Sequence, residues 1–92
     1  MTGNAGEPAT DATVDPVLMA IVAHGLLGDA AVVGSAALTL SEHWERLDPE
    51  VRNQLLRMIV DHAHHVSEVL DGMARGLPLQ ALLAVGDPRL QA

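Results

Sequence analysis

The residues of this 92-residue chain that could do chemistry fall in two places. One is a single histidine, His24, in the stretch Ile21-Val22-Ala23-His24-Gly25-Leu26-Leu27-Gly28. The other is the run Asp61-His62-Ala63-His64-His65, with Glu68 three residues on. An imidazole with a free lone pair and small neighbours can act as a nucleophile in phosphoryl transfer, which needs room for in-line attack. Its small neighbours suit His24 to that role, but from helix geometry alone an ordinary surface histidine is the preferred reading. The histidine run invites a metal instead. His62, His65 and Glu68 are spaced three apart, so successive turns could offer ligands. Against this, His62 points inward on a helical wheel and His64 nearly away from it. Glu42 and His43 are the obvious donors from a second helix, and both lie near the turn. A solvated histidine-rich face is therefore preferred to a metal site.

Other chemistries lack their parts. Ser35, Ser41 and Ser67 have no motif around them, and no strand precedes a glycine-rich phosphate loop. No cofactor is expected.

The elements that position these residues are helices. Asp15-Pro16 is a helix start, with the acid as N-cap and proline at the first helical position. Asp48-Pro49 repeats it. Between them the chain runs without proline to about Arg46. A second helix runs from Pro49 to Ala74 or Arg75, where Gly76 and then Pro78 stop it. Leu79 to Val85 predicts a short third helix. Residues 1–14 read as a disordered tail, 15–76 as a hairpin, and 77–92 as a short helix with a C-terminal tail.

At about 100° per residue, Leu18, Val22, Leu26, Val33, Ala36, Leu40, Trp44 and Leu47 share one sector of the first helix. In the second helix Val51, Leu55, Met58, Ile59, Val66, Val69, Leu70 and Met73 do the same. The short connection makes the two helices antiparallel neighbours. A further strip on the first helix, Ala20, Leu27, Ala31 and Leu38, lies on its far side. A helix with two apolar arcs has two neighbours to satisfy. The expected fold is thus all-α: a two-helix antiparallel hairpin that dimerises into a four-helix bundle, with a short C-terminal third helix. Asp29 and His62 fall near the centres of the two main stripes. A buried carboxylate needs a partner, so an Asp29–His62 bridge is expected, within one chain or between two.

Composition agrees. There is no cysteine to staple so small a chain, and Trp44 is its one aromatic residue among Phe, Trp and Tyr. Self-association is the remaining route to a core. The formal charge of −7, with no basic cluster, argues against nucleic acid. His24, Gly28 and Asp29 interrupt the most apolar stretch, and no basic start precedes an apolar block. A membrane span or signal peptide is therefore not expected, and a cytoplasmic location is.

The stretch Ile21–Val33 resembles the H-box of the histidine-kinase dimerisation and phosphoacceptor domains of the HisKA type. The closing Val69-Leu70-Asp71-Gly72-Met73-Ala74-Arg75 is similar to that family's Leu-rich, Asp-containing turn before an Arg. The resemblance covers about residues 16–76. It implies a hairpin dimer with His24 as phosphoacceptor in a two-component system, and a histidine kinase or response regulator as partner. The family's acid after the histidine is Gly25 here, its Thr or Asn is Gly28, and its Pro is Asp29. No ATP-binding domain follows, so the phosphate would come from elsewhere. Histidine phosphotransfer domains are a second resemblance, through His24, Leu26, Gly28, Ala30, Val33 and Gly34. Leu27 stands where they carry a lysine. A relative of the same hairpin that has lost phosphotransfer, and only dimerises or binds a partner, is the alternative these departures raise. A small helical metal-binding protein is a further one.

Overall fold

The computed structural model describes residues 15–85. The tail expected over 1–14 and the end of the segment 77–92 lie outside the described residues. Three α-helices follow in order: α1 (Pro16–His43), α2 (Pro49–Ala74) and α3 (Leu79–Ala84), with a single 3-10 turn, Trp44–Arg46, closing α1. There is no strand among the described residues. α1 and α2 pair side by side as a hairpin, and α3 folds back on one edge of it.

Local chemistry sets each boundary. The Asp15 carboxylate accepts from the backbone N–H of Val17 at 2.8 Å and of Leu18 at 3.4 Å, satisfying two donors that the first turn leaves open. Pro16 fits there because its missing N–H is not needed. At the second start Asp48 is the N-cap residue, but its side chain makes no capping bond. The turn is held from α2 instead. Arg52 donates from Nε to the Trp44 carbonyl at 2.8 Å and sets its guanidinium 4.5 Å from the centre of the Trp44 ring. Arg52 is thus half-buried, and Trp44 serves the turn rather than the core. α2 ends at Gly76, whose φ of +79° is left-handed, which glycine adopts without a Cβ penalty. That reversal sends the chain back along the hairpin, with Leu77 N–H bonded to Gly72 O at 3.0 Å.

The core is thin. Among the described residues the buried apolar side chains are Val22, Ala36, Leu40, Val69 and Leu82, and no large side chain is fully enclosed. Leu82 closes one end of it. It packs on Val22 and Val69 with Leu26, Leu79 and Val85 around them. Gly72 makes room for this: a Cβ there would lie 2.6 Å from a Leu82 methyl and 3.2 Å from one of Leu77. Val51, Met58, Leu70 and Met73, expected inside, are exposed, because one helix and a six-residue helix cannot cover the full apolar arc of α2.

The exposed apolar residues are ordered. On α2, Leu56, Val60, Ala63, Ser67, Leu70 and Ala74 recur at helical spacing, and all are exposed. On α1, Ala23, Leu27, Ala30, Gly34, Ala37 and Ser41 do likewise. Helical geometry puts both ridges on the side of the hairpin away from α3, and neither carries a charge. Five charged residues in and just after α2 (Glu50, Arg57, Asp61, Glu68 and Arg75) lie on the other flank, while Arg52 sits one turn before Leu56 on the ridge side and Asp71 borders the ridge between Ser67 and Ala74. The far-side strip Ala20, Leu27, Ala31 and Leu38 is also open, Leu27 being 69% and Leu38 57% exposed. The helical stretch Pro16–Arg46, though interrupted by His24, Gly28 and Asp29, is long and apolar enough to cross a membrane by length and composition alone.

Candidate functional site

The site is built around one acid. Asp29 sits midway along α1 on the line Val22–Asp29–Ala36–Leu40 that faces α2, and it is the one buried charged residue described. Across from it, α2 presents His62 and His65, three residues apart and so adjacent on one side of the helix. Asp29 Oδ1 accepts from His62 Nδ1 at 2.8 Å, and Oδ2 accepts from His65 Nδ1 at 2.5 Å. Both carboxylate oxygens are thereby used, as a buried acid requires. His65 reaches further: its Nε2 donates to the backbone carbonyl of Val85, just past α3, at 2.9 Å. One imidazole therefore joins all three helices.

Position explains the electrostatics. Burial pushes the Asp29 carboxyl up, but the hydrogen bonds from His65 and His62, helped by their charge, bring it below its ordinary value. The hydrogen bond to Asp29 raises His65 above the ordinary imidazole value. Burial opposes that rise, while the Val85 carbonyl and the charges of Asp29 and Glu68 add to it. The two shifts favour the ion pair, which is partly open to water: the side chains are 11% exposed for Asp29, 37% for His62 and 31% for His65.

The structure brings Asp29 and His62 together within one chain, as the stripe centres suggest. Sequence reasoning did not give His65 this role. The signal available was its placement one turn from His62, on the side facing α1. Glu68 goes elsewhere: it takes His64 Nε2 at 3.3 Å in an exposed pair. Asp29, Asp61, His62, His64, His65 and Glu68 line one open cavity. No group of three or more His, Cys, Asp or Glu side chains among the described residues is arranged to hold a metal ion. His62 and His65 turn Nδ1 to Asp29 rather than to a shared point with Glu68, so the ligand set considered from spacing does not assemble.

His24 lies apart from this cluster. It is exposed on the outer flank of α1, beside a shallow recess lined by Pro16, Val17, Ala20 and Ile21. Nothing crowds Gly25 or Gly28. The recess offers neither a carboxylate to take a proton nor a cation to hold a phosphate.

No protein-family model matches the chain, and neither a curated protein nor a solved structure matches it.

Proposed function

We propose that the chain is a self-associating helical hairpin, a dimerisation and protein-docking module built like the phosphoacceptor hairpins it resembles. One observation carries this reading: both long helices expose a charge-free ridge on the same side, while the single chain encloses no large side chain. A small hairpin with so little core gains most by burying those ridges against a second copy. Two copies joined this way make a four-helix bundle and leave α3 and the Asp29 cluster outside the interface. The apolar length of α1 fits this arrangement better than a bilayer. Asp29 is satisfied only by α2, and α2 would bring Arg57, Asp61, Glu68 and Asp71 into the lipid with it. A cytoplasmic setting belongs to the same proposal.

The exposure of His24 supports a second reading, that the dimer accepts a phosphoryl group there from a separate kinase or a phosphorylated regulator. The missing acid and lysine weigh on the side of docking alone. Incubation with phosphoramidate, or with a histidine kinase, separates the two. Docking alone predicts no acid-labile phosphate on the wild type. Stoichiometric acid-labile phosphate that His24→Gln abolishes would establish phosphotransfer instead.

A further inference from the structure

The geometry around His65 fixes its protonation state. Both of its hydrogen-bond partners, the Asp29 carboxylate and the Val85 carbonyl, can only accept. A neutral imidazole has one N–H and one lone pair, so it can serve one of them and must turn a lone pair on the other. With both ring nitrogens within hydrogen-bond distance of oxygen, the arrangement is that of the imidazolium.

We propose that His65 is a protonation-dependent latch for α3: the imidazolium ties Asp29 of α1 to the chain end of α3, and loss of its proton releases that end from the hairpin. The two bonds differ in which survives. Asp29 is buried and charged, so the remaining N–H stays on Nδ1. The lone pair then forms at Nε2 and faces the Val85 carbonyl. The rest of the hold on α3 includes apolar packing. At six residues α3 is too short to be a stable helix alone, and it is anchored by Leu82 in the Val22–Val69 seat over Gly72. Release would open that apolar seat, so the latch gates a groove as well as a helix.

The titratable groups that face His65 come from α1 and α2. From α1 there is Asp29. From α2 there are His62 and Glu68, with Asp61 and His64 along the same open cavity. α3, Leu-Gln-Ala-Leu-Leu-Ala, has no ionisable side chain. The hydrogen bond to the Asp29 carboxylate is the main cause of the upward displacement of His65, the Val85 carbonyl and the charges of Asp29 and Glu68 add to it, and burial opposes it. A group raised in the folded state holds its contribution below the ordinary imidazole range and loses it as pH climbs through the raised value. The latch is closed on the acid side and opens on the alkaline side.

The test is a titration of the full chain by NMR from about pH 5.5 to about pH 9, following the His65 ring, the Leu82 methyls and the Val85 amide together. The expected result is one shared midpoint above 6.5, the ordinary imidazole value. Hydrogen-exchange protection of the α3 amides should fall by roughly ten- to a hundred-fold across it, the weight of one charge-assisted hydrogen bond. His62→Gln should keep this transition, since His62 does not touch α3. His65→Gln should remove it. If α3 stays docked in the wild type while the His65 ring fully deprotonates, the latch is wrong. The same follows if the transition persists in His65→Gln or vanishes in folded His62→Gln. The wild-type titration decides the matter even if His65→Gln does not fold.

Discussion

The double variant Leu27→Glu/Leu70→Glu is expected to run as a monomer under conditions where the wild type is a dimer. Both positions are open in the single chain, at 69% and 50% exposed, so the hairpin itself has no steric reason to reject glutamate. In the bundle they lie on the two charge-free ridges, one on each long helix. Two copies would then bury four carboxylates with no cation on either ridge to meet them. An unpaired buried charge costs several kcal/mol, so the dissociation constant should rise by at least about 100-fold. Sedimentation velocity of the variant beside the wild type reads this directly. Unchanged sedimentation would move the interface off these ridges. A Glu42→Gln variant, altering an exposed charge near the turn, should sediment as wild type.

Removing Asp29 is the second large effect. In Asp29→Ala the two imidazoles lose a shared acceptor and α1 gains a small void, so folding stability should drop by about 2 kcal/mol at fixed protomer concentration. The figure sits below that of a sealed pair because both histidines keep about a third of their side-chain surface in water. The pH dependence should change with it. Asp29 is lowered in the folded state, so its contribution is present above the ordinary carboxyl value of 3.8 and disappears as pH falls through the lowered one. His65 is raised, so its contribution is present below 6.5 and disappears as pH rises through the raised value. The cluster therefore stabilises most between those two ordinary values, and that maximum should flatten in Asp29→Ala. Urea unfolding at a series of pH values checks both the size and the shape. Replacing Asp29, His62 and His65 together by leucine should restore or exceed wild-type stability near pH 7, because an apolar trio has no desolvation cost. A profile that still peaks in that triple variant would assign the pH dependence to other groups.

Much of this architecture is legible in the sequence because helix boundaries are local chemistry. Asp15-Pro16, Asp48-Pro49 and Gly76 each mark a backbone requirement that few residues satisfy; the two long helices start at the first two, and the second stops just before the third. The placing of Asp29 and His62 opposite one another also followed from period and loop length, since a short turn fixes register in an antiparallel pair. What the wheel could not give is which edge of a stripe another element covers. Leu70 belongs to the same stripe as Val69 by angle, yet α3 lies on the other edge and leaves Leu70 open. The role of His65 is hidden for the same reason. Its second partner, the Val85 carbonyl, arrives only because Gly76 turns the chain back, and no periodicity reports a backbone oxygen twenty residues away. Trp44 shows the limit differently: it lies at the end of the apolar stripe of α1, but Arg52 claims its ring and carbonyl for the turn.

The pairing of the two ridges decides between a hairpin complete in itself and half of a bundle, and the mass of the wild-type chain in solution reads it most directly. Static light scattering coupled to size exclusion, with the full chain loaded over a range of concentrations and without detergent, should give twice the 9.7 kDa chain mass. A single species at 9.7 kDa at the highest loading would contradict the account.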